Sequence, residues 1–400
     1  MSLKLSDPRA NILIVDDTPD NLRLLTQILG EHCYQVRVAT SGERALASIK
    51  LASPDLILLD IKMPGMDGFA VCQALKADSA ARDIPVIFIS ALDDVSDKVR
   101  AFATGGVDYV TKPFQGEEVL ARVETHLTLR NLQKQLERAN QKMIQELALA
   151  GQVQASFLPD KLPDVPGWQF SVSLLPARET SGDFYDAFLL PDGRLGILVA
   201  DVVDKGVCAA LFMSLVYALF RTHALEECQE PACVFRAMNE RILHDTHGNQ
   251  FVTAFYGILD PKTGHMLYSN AGHCPALVLK TNDAAHTTWL CHTGVPLGAL
   301  EDMSWGQEKA YFAPGDVLVL YSDGLIEAEN GVRELFGRQG LLACAKARVG
   351  HTAVQIKEGI INDVQQFTGD GHLLDDLVLL VGSRALGNDT PLCPDEAECA

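Results

Sequence analysis

One 42-residue stretch, 117–158, contains no proline and a single glycine, Gly151. The rest of its composition is helix-forming. Apolar residues fall at Leu129, Leu132, Leu136, Ala139, Met143, Ala150, Val153 and Phe157, at spacings of 3, 4, 3, 4, 7, 3 and 4, with Glu146 as the defect. Such a heptad seam predicts a coiled coil and hence a homodimer. An amphipathic helix packed on its own domain is the other reading. Either way the helix divides the chain into an N-terminal and a C-terminal part. The segment PDKLPDVPG, 159–167, then ends the helix and opens new structure. A chain of 400 residues is long enough for two or three domains at about 150 residues each. We expect a first domain over residues 10–127, a helical coiled-coil linker over 128–158, a second domain over 159–385, and an acidic tail over 386–400.

The charge balance narrows the partners. With 33 Lys+Arg against 52 Asp+Glu, the net charge is −19. A chain this acidic repels nucleic acid and anionic membrane, and it suits divalent cations or a basic partner. Ten cysteines are scattered without a CxxC pair, which argues against a disulfide framework or zinc site and fits a reducing compartment. The N-terminal MSLKLSDPRANILIV lacks the long apolar stretch and cleavage site of a signal peptide. The most apolar helix-like run, Val207 to Phe220, has 14 residues, short for a membrane span. These features predict a soluble, cytoplasmic protein without nucleic-acid or membrane binding.

In the first domain, short apolar runs at Ile12–Val15, Leu56–Leu59 and Val86–Ile89 alternate with helix-like segments. This pattern predicts an α/β fold with a doubly wound parallel sheet, whose crevice lies at the carboxyl ends of the strands. The chemistry-bearing residues stand at those ends. Asp16 and Asp17 follow ILIV, Asp60 follows LILL, Ser90 ends VIFIS, and Lys112 follows the short strand Tyr109–Val110. Carboxylates crowded in one crevice repel each other unless a cation such as Mg²⁺ sits among them. A cation beside Asp60 keeps it ionised as a nucleophile and neutralises an incoming phosphoryl group, with Lys112 pairing with the phosphate and Ser90 bonding its oxygen.

The pieces IVDDTPDN, LLDIKMPGMDG, VIFISA and YVTKPF resemble a response-regulator receiver domain. That resemblance implies phosphorylation of Asp60 by a histidine kinase. It also implies Mg²⁺ held by Asp16, Asp17, Asp60 and the backbone at Lys62, and Ser90 with Tyr109 as a switch pair. A cis Lys112–Pro113 bond is expected as well.

The second domain mixes strand-like runs with helical stretches at Val207–His223, Cys233–His244 and Gln355–Phe367, which predicts an α+β fold, a sheet sandwich covered by helices. Acids flank the strand-like runs: Asp183 and Asp186 in SGDFYD, Asp201 and Asp204 in LVADVVDKG, Asp323 in YSDGLIEAEN, and Asp375 and Asp376 in LLDDLVLLV. Many carboxylates without a His or Cys cluster favour Mg²⁺ or Mn²⁺ over zinc. Arg178 is a candidate phosphate clamp or a surface arginine. His273 is a candidate acid for the leaving oxygen or part of a structural turn.

These motifs, with QVQASFLP, PARETSGDFYD and SNAGHCPALVL, resemble metal-dependent type 2C serine/threonine phosphatases of the bacterial sporulation-phosphatase branch. The resemblance implies two Mn²⁺ or Mg²⁺ ions bridged by Asp201, joined by the Val202 carbonyl. Asp183 completes one ion, and Asp323 with Asp375 the other, with Asp376 as the alternative ligand. It implies direct attack by water on a phosphoserine, without a phospho-enzyme. The DVVDKG segment departs from the commoner serine-glycine form at Val203 and Asp204. The combined expectation is a two-component response regulator with a serine phosphatase output, acting on a partner-switching protein such as a phosphorylated anti-sigma-factor antagonist. The alternative is a phosphorylation-controlled binding module without turnover.

Overall fold

The central strands Asn11–Val15, Leu56–Asp60, Val252–Leu259 and Val317–Tyr321 are apolar along almost their whole length because both of their faces are covered. The computed structural model describes residues 9–91, 95–227, 230–246, 250–281, 287–369 and 373–386. Beyond Leu386 the expected acidic tail lies outside the described residues. The chain divides into two units, Met1–Lys142 and Met143–Ala400.

The first unit alternates β1 (Asn11–Val15), α1 (Pro19–Gly30), β2 (Gln35–Ala39), α2 (Gly42–Leu51), β3 (Leu56–Asp60), α3 (Gly68–Ala77), β4 (Val86–Ala91), α4 (Val95–Ala103) and β5 (Asp108–Lys112). Helix α5 (Gly116–Ala155) comes next and continues into the second unit. The sheet is parallel, in the order β2-β1-β3-β4-β5. Alternate residues serve opposite layers. Leu13, Val15, Ile57, Leu59 and Phe88 meet Ala45, Ile49, Val71 and Leu75 of α2 and α3. Ile12, Ile14, Leu56, Leu58 and Ile89 meet Leu22, Leu25 and Leu29 of α1, and Val119 and Val123 of α5. Strand β2 escapes the apolar-run criterion because it lies at the sheet edge with Val38 exposed.

The second unit holds β6 (Trp168–Leu175), β7 (Asp183–Leu189), β8 (Leu195–Val202), α6 (Val207–Thr222), α7 (Pro231–Thr246), β9 (Val252–Leu259) and β10 (His265–Ala271). After these come β11 (Ala276–Leu279), β12 (Thr287–Leu290), β13 (Glu308–Tyr311), β14 (Val317–Tyr321), α8 (Asp323–Ile326), α9 (Gly337–Lys346), α10 (Ala353–Thr368) and β15 (Leu377–Arg384). Two five-stranded sheets result, β13-β10-β9-β8-β7 and β12-β11-β14-β15-β6. Their strand pairs are antiparallel. Leu195, Ile197, Val199, Phe255 and Tyr268 of the first sheet share a core with Val278, Leu318, Leu320, Val378 and Leu380 of the second. The intervening residues face outward. Leu198 and Ala200 pack under Phe212, Val216 and Phe220 of α6 and Phe235 of α7. Val317, Val319, Leu379 and Val381 pack under Leu341 of α9 and Ile356 and Ile360 of α10. The unit is therefore a four-layer helix–sheet–sheet–helix sandwich.

Two sequence expectations change here. The apolar helix runs on through a π-turn at His223–Glu227, and 19 residues, Val207–Leu225, are long and apolar enough to cross a membrane by length and composition. Ala209, Phe212, Met213, Val216 and Phe220 are nevertheless buried against the first sheet, as in a core helix. Cys233 is disulfide-bonded, which the scatter of cysteines along the sequence does not announce.

Phe255 is fully buried between the sheets and stacks on Tyr268 at 5.3 Å between ring centroids. Its truncation removes a large buried ring from a close-packed layer. Phe255→Ala is expected to destabilise the second unit by about 3–5 kcal/mol, read as a lowered midpoint in urea unfolding.

Candidate active site

Parallel register builds the first site. Val15 sits beside Leu59, Asp60 beside Ile89, and Ala91 beside Lys112, so the residues that end these strands share one rim. Asp16 is fully buried, and Asp60 nearly so. Lys112 Nζ bridges them, 2.9 Å from Asp16 Oδ2 and 2.9 Å from Asp60 Oδ2. Asp16 also accepts from the Thr18 N–H at 2.8 Å and from Asn21 Nδ2. Burial pushes the Asp60 carboxyl above its ordinary range, while Lys112 and the Lys62 backbone N–H pull the other way. Burial opposes the charge on Lys112, but its two carboxylate partners raise its pKa on balance. One carboxylate oxygen from each of Asp16, Asp17 and Asp60 falls within 4.8 Å of the others, a span one cation can bridge. Ser90 is buried at the end of β4, next to this rim. Tyr109 packs edge-on against Phe102, with Lys98 over its ring. The Lys112–Pro113 peptide is cis.

Antiparallel register builds the second site. Asp183 on β7 lies opposite Asp201 on β8, which lies opposite Thr253 on β9. The three continue the face that carries Val199 and Phe255, so their side chains stand at the end of the inter-sheet core. The other sheet meets them with Ser322 and Asp323 after β14, and with Asp375 and Asp376 before β15. Close approach is needed there: a Cβ on Gly324 would stand 2.0 Å from the Asp376 carbonyl oxygen. The Val202 carbonyl oxygen faces Gly182, at 3.2 Å from where a Cβ would be.

The two neighbouring aspartates near the end of the chain play different parts. Asp376 Oδ1 accepts from the Ala177 N–H at 2.8 Å, and Oδ2 from the Gly182 N–H at 2.7 Å. Both its oxygens are thus committed to the loop before Asp183. Asp375 is more exposed and pairs with Lys205 at 2.7 Å. That division ties Asp376 to the backbone of the loop and leaves Asp375 at the more open rim.

The electrostatics ask for cations. Burial, then the charge of Asp323, raises the Asp201 pKa to about 7. Burial and the neighbouring Asp201 hold Asp183 well above the carboxylate range. Burial and Asp375 raise Asp323. Among the described residues Asp183 Oδ2 is buried with no hydrogen-bond partner. A buried carboxylate oxygen left bare among like charges is what a divalent cation would satisfy, and an all-oxygen donor set fits Mg²⁺ or Mn²⁺. The residues present therefore fit a metal centre.

The remaining candidates lie apart from this cluster or serve the fold. Arg178 is exposed on the β6–β7 loop. Asp186 is fully buried and held bidentately by Arg221 of α6, at 2.7 and 3.0 Å. His273 is buried with Nδ1 2.8 Å from Thr253 Oγ1, and burial lowers its pKa to about 4. This imidazole packs at the strand end beside Asp201, through Thr253. Asp204 adopts φ +85°, a left-handed conformation uncommon outside glycine. Lys205 and Ser322 carry no sequence signal of their place at this site, because neither belongs to an acidic pattern.

These shifts fix a pH dependence. Asp201 titrates near 7 in the fold against an ordinary 3.8. Between those values the metal-free fold binds more protons than the unfolded chain, so its stability falls as pH rises through that window. A divalent cation replaces those protons, and its stabilising effect grows over the same window. Thermal unfolding at pH 5 and pH 8 is expected to show a lower Tm at pH 8 in EDTA. Excess Mn²⁺ is expected to add more at pH 8 than at pH 5. A metal-free Tm that rises with pH would contradict this account.

Comparison with known proteins finds a separate family match for each part of the chain. Residues 12–124 match the response regulator receiver domain family, and residues 191–384 match stage II sporulation protein E (SpoIIE). Protein IcfG of Synechocystis is 33% identical over 62% of this chain and 44% of its own length. The response regulator PleD of Caulobacter vibrioides is 46% identical over 29% of this chain and 26% of its own. The chain thus spans less than half of either relative. Phosphoserine phosphatase RsbU of Bacillus subtilis is 28% identical over 65% of this chain and 74% of its own length. The structure of the RsbU and RsbW domains of Rv1364c from Mycobacterium tuberculosis superposes with a TM-score of 0.51 at 27% identity, covering 57% of this chain and 63% of that one. The SiaA-PP2C domain of Pseudomonas aeruginosa, at 18% identity and a TM-score of 0.54, covers 62% of this chain and 98% of that one and shares the fold. The chain therefore joins a response-regulator receiver domain to a type 2C phosphatase domain of the SpoIIE family.

Proposed function

We propose that this protein is a two-component response regulator whose output is a metal-dependent protein serine phosphatase. One observation carries the reading: Asp183, Asp201, Asp323 and Asp375 meet at one end of the sandwich, with a buried Asp183 oxygen that has no partner. In this reading Asp183, Asp201, Asp323, Asp375 and the Val202 carbonyl would hold the metal ions. Bound Mn²⁺ or Mg²⁺ supplies the positive charge that activates water and offsets charge on the phosphoryl group. The protein's own carboxylates fix the charge balance. The Asp376 bonds to Ala177 and Gly182 fix the loop that presents Asp183. The phosphoserine class of substrate is supported by the likeness to RsbU, a phosphoserine phosphatase. A partner-switching protein such as a phosphorylated anti-sigma-factor antagonist is the proposed substrate.

The receiver site supplies the control. Asp60 would take a phosphoryl group from a histidine kinase: its carboxylate oxygen forms the new bond to phosphorus as the histidine N–P bond breaks. Asp16, Asp17, Asp60 and the Lys62 backbone are the proposed Mg²⁺ ligands, and Lys112 pairs with the phosphoryl oxygens. Ser90 bonds the same group. Phosphate release from a phosphoserine protein in Mn²⁺ is expected to fall at least about 10²-fold in Asp201→Asn, at or beyond the upper end of an outer-shell loss. A receiver phosphate mimic is expected to change the wild-type rate. Partner binding that responds to the mimic without any turnover would replace this proposal with a binding module.

The proposed homodimer rests on the heptad seam of α5. Leu132 and Leu136 are 56% and 71% exposed along a single chain. Leu129, Met143 and Val153 on the same seam are exposed as well. A second copy of the helix would cover all five. Sedimentation is expected to give a dimer for wild type and a monomer for Leu132→Asp/Leu136→Asp. A monomeric wild type would end the coiled-coil proposal.

A further inference from the structure

The C-terminal end of α5 reaches the acidic centre of the second unit through one side chain. Gln154 is buried, and its carboxamide grips a single residue at two points. Its Nε2 donates to the Ser181 carbonyl at 2.5 Å, and its Oε1 accepts from the Ser181 N–H at 3.0 Å. The amide thus pairs with Ser181 as a neighbouring strand would. Ser181 passes the constraint on: its Oγ accepts from the Asp183 N–H at 3.0 Å and donates to the Asp183 carbonyl at 3.1 Å. Almost one turn earlier, Gly151 lets the Glu179 carbonyl approach the helix so closely that a Cβ would stand 2.0 Å from its oxygen. The helix therefore touches the β6–β7 loop at two places, both within four residues of Asp183. A small cavity of about 50 Å³, lined in part by Gly151, Gln154, Ser181 and Asp183, lies at this junction.

We propose that Gln154 is a positioning residue for the metal centre. Its two-point hold on Ser181 sets the backbone from which Asp183 reaches the ion. Groups that orient a metal ligand typically change affinity about 10–100-fold when removed. The proposal rests on the metal-centre reading, and the test separates the two.

The experiment titrates the full chain with Mn²⁺ and follows free Mn²⁺ by its electron paramagnetic resonance signal. Sites that persist in Asp201→Asn are assigned to the receiver and subtracted. Gln154→Met keeps the size of the side chain and removes both hydrogen bonds; it is expected to weaken the Asp201-dependent sites about ten-fold. Gly151→Ala keeps Gln154 but forces the helix off Glu179, so it is expected to weaken the same sites although alanine favours the helix. It carries the test if Gln154→Met does not fold. Leu158→Ala removes an apolar contact from the chain just beyond this helix; it is expected to lower Tm while leaving Mn²⁺ affinity within about two-fold, since it bonds nothing in the loop. Equal affinity in wild type, Gln154→Met and Gly151→Ala would overturn the positioning role while the metal centre stands. Weakening in Gln154→Met no greater than in Leu158→Ala would overturn it too. A wild type with no more sites than Asp201→Asn would overturn the metal centre itself.

Discussion

Repulsion between buried carboxylates is the constraint around which the second unit is arranged. Asp183, Asp201 and Asp323 are drawn out of water by the same register that closes the sandwich, and each has its pKa raised as a result. The first unit meets the same problem differently. Its crevice carries an internal cation, Lys112, placed 2.9 Å from each of two aspartates. In the second unit Lys205 pairs with Asp375 at the rim, and its charge also acts on Asp323. One acidic site is thus balanced in part by the chain's own charge. The other leaves a buried Asp183 oxygen without a hydrogen-bond partner among the described residues.

Full coverage of the sheets is what holds these charges in place. Strand β7 shows the arrangement most clearly. Asp183 points into the end of the inter-sheet core, and Asp186, three residues on, points to the opposite layer and pairs with Arg221 of α6. A buried ion pair of this kind contributes little net stability but is costly to break on one side. It fixes the lie of α6 against the strand that carries a candidate ligand.

Much of this was legible in the sequence, for identifiable reasons. Runs such as ILIVDD and LILLD combine a doubly buried strand with the acid that ends it, so strand and site announce each other. Strand β7, DFYDAFL, carries two carboxylates and so offers no apolar run, although Asp183 stands out through its motif. Short or half-exposed strands such as β12 and β13 gave no apolar run to find. The choice between Asp375 and Asp376 was open in sequence, because what separates them is two backbone N–H groups almost 200 residues away. Gln154 lies within the QVQASFLP motif, but a glutamine in a helix-forming stretch carries no sign that its amide pairs with Ser181.

The strand order also sets a sequence of events during synthesis. The first unit pairs strands that are near neighbours along the chain, so it has what it needs to close once β5 and the start of α5 have been made. The second sheet of the sandwich pairs β6 with β15, Trp168 beside Arg384 and Leu175 beside Leu377. Contacts of that separation form late and slowly. A nascent chain therefore carries a finished receiver for as long as the ribosome takes to reach the last strand. Only then do Asp375 and Asp323 come to face Asp183 and Asp201. The four carboxylates do not share one crevice until almost every other layer exists to hold them there.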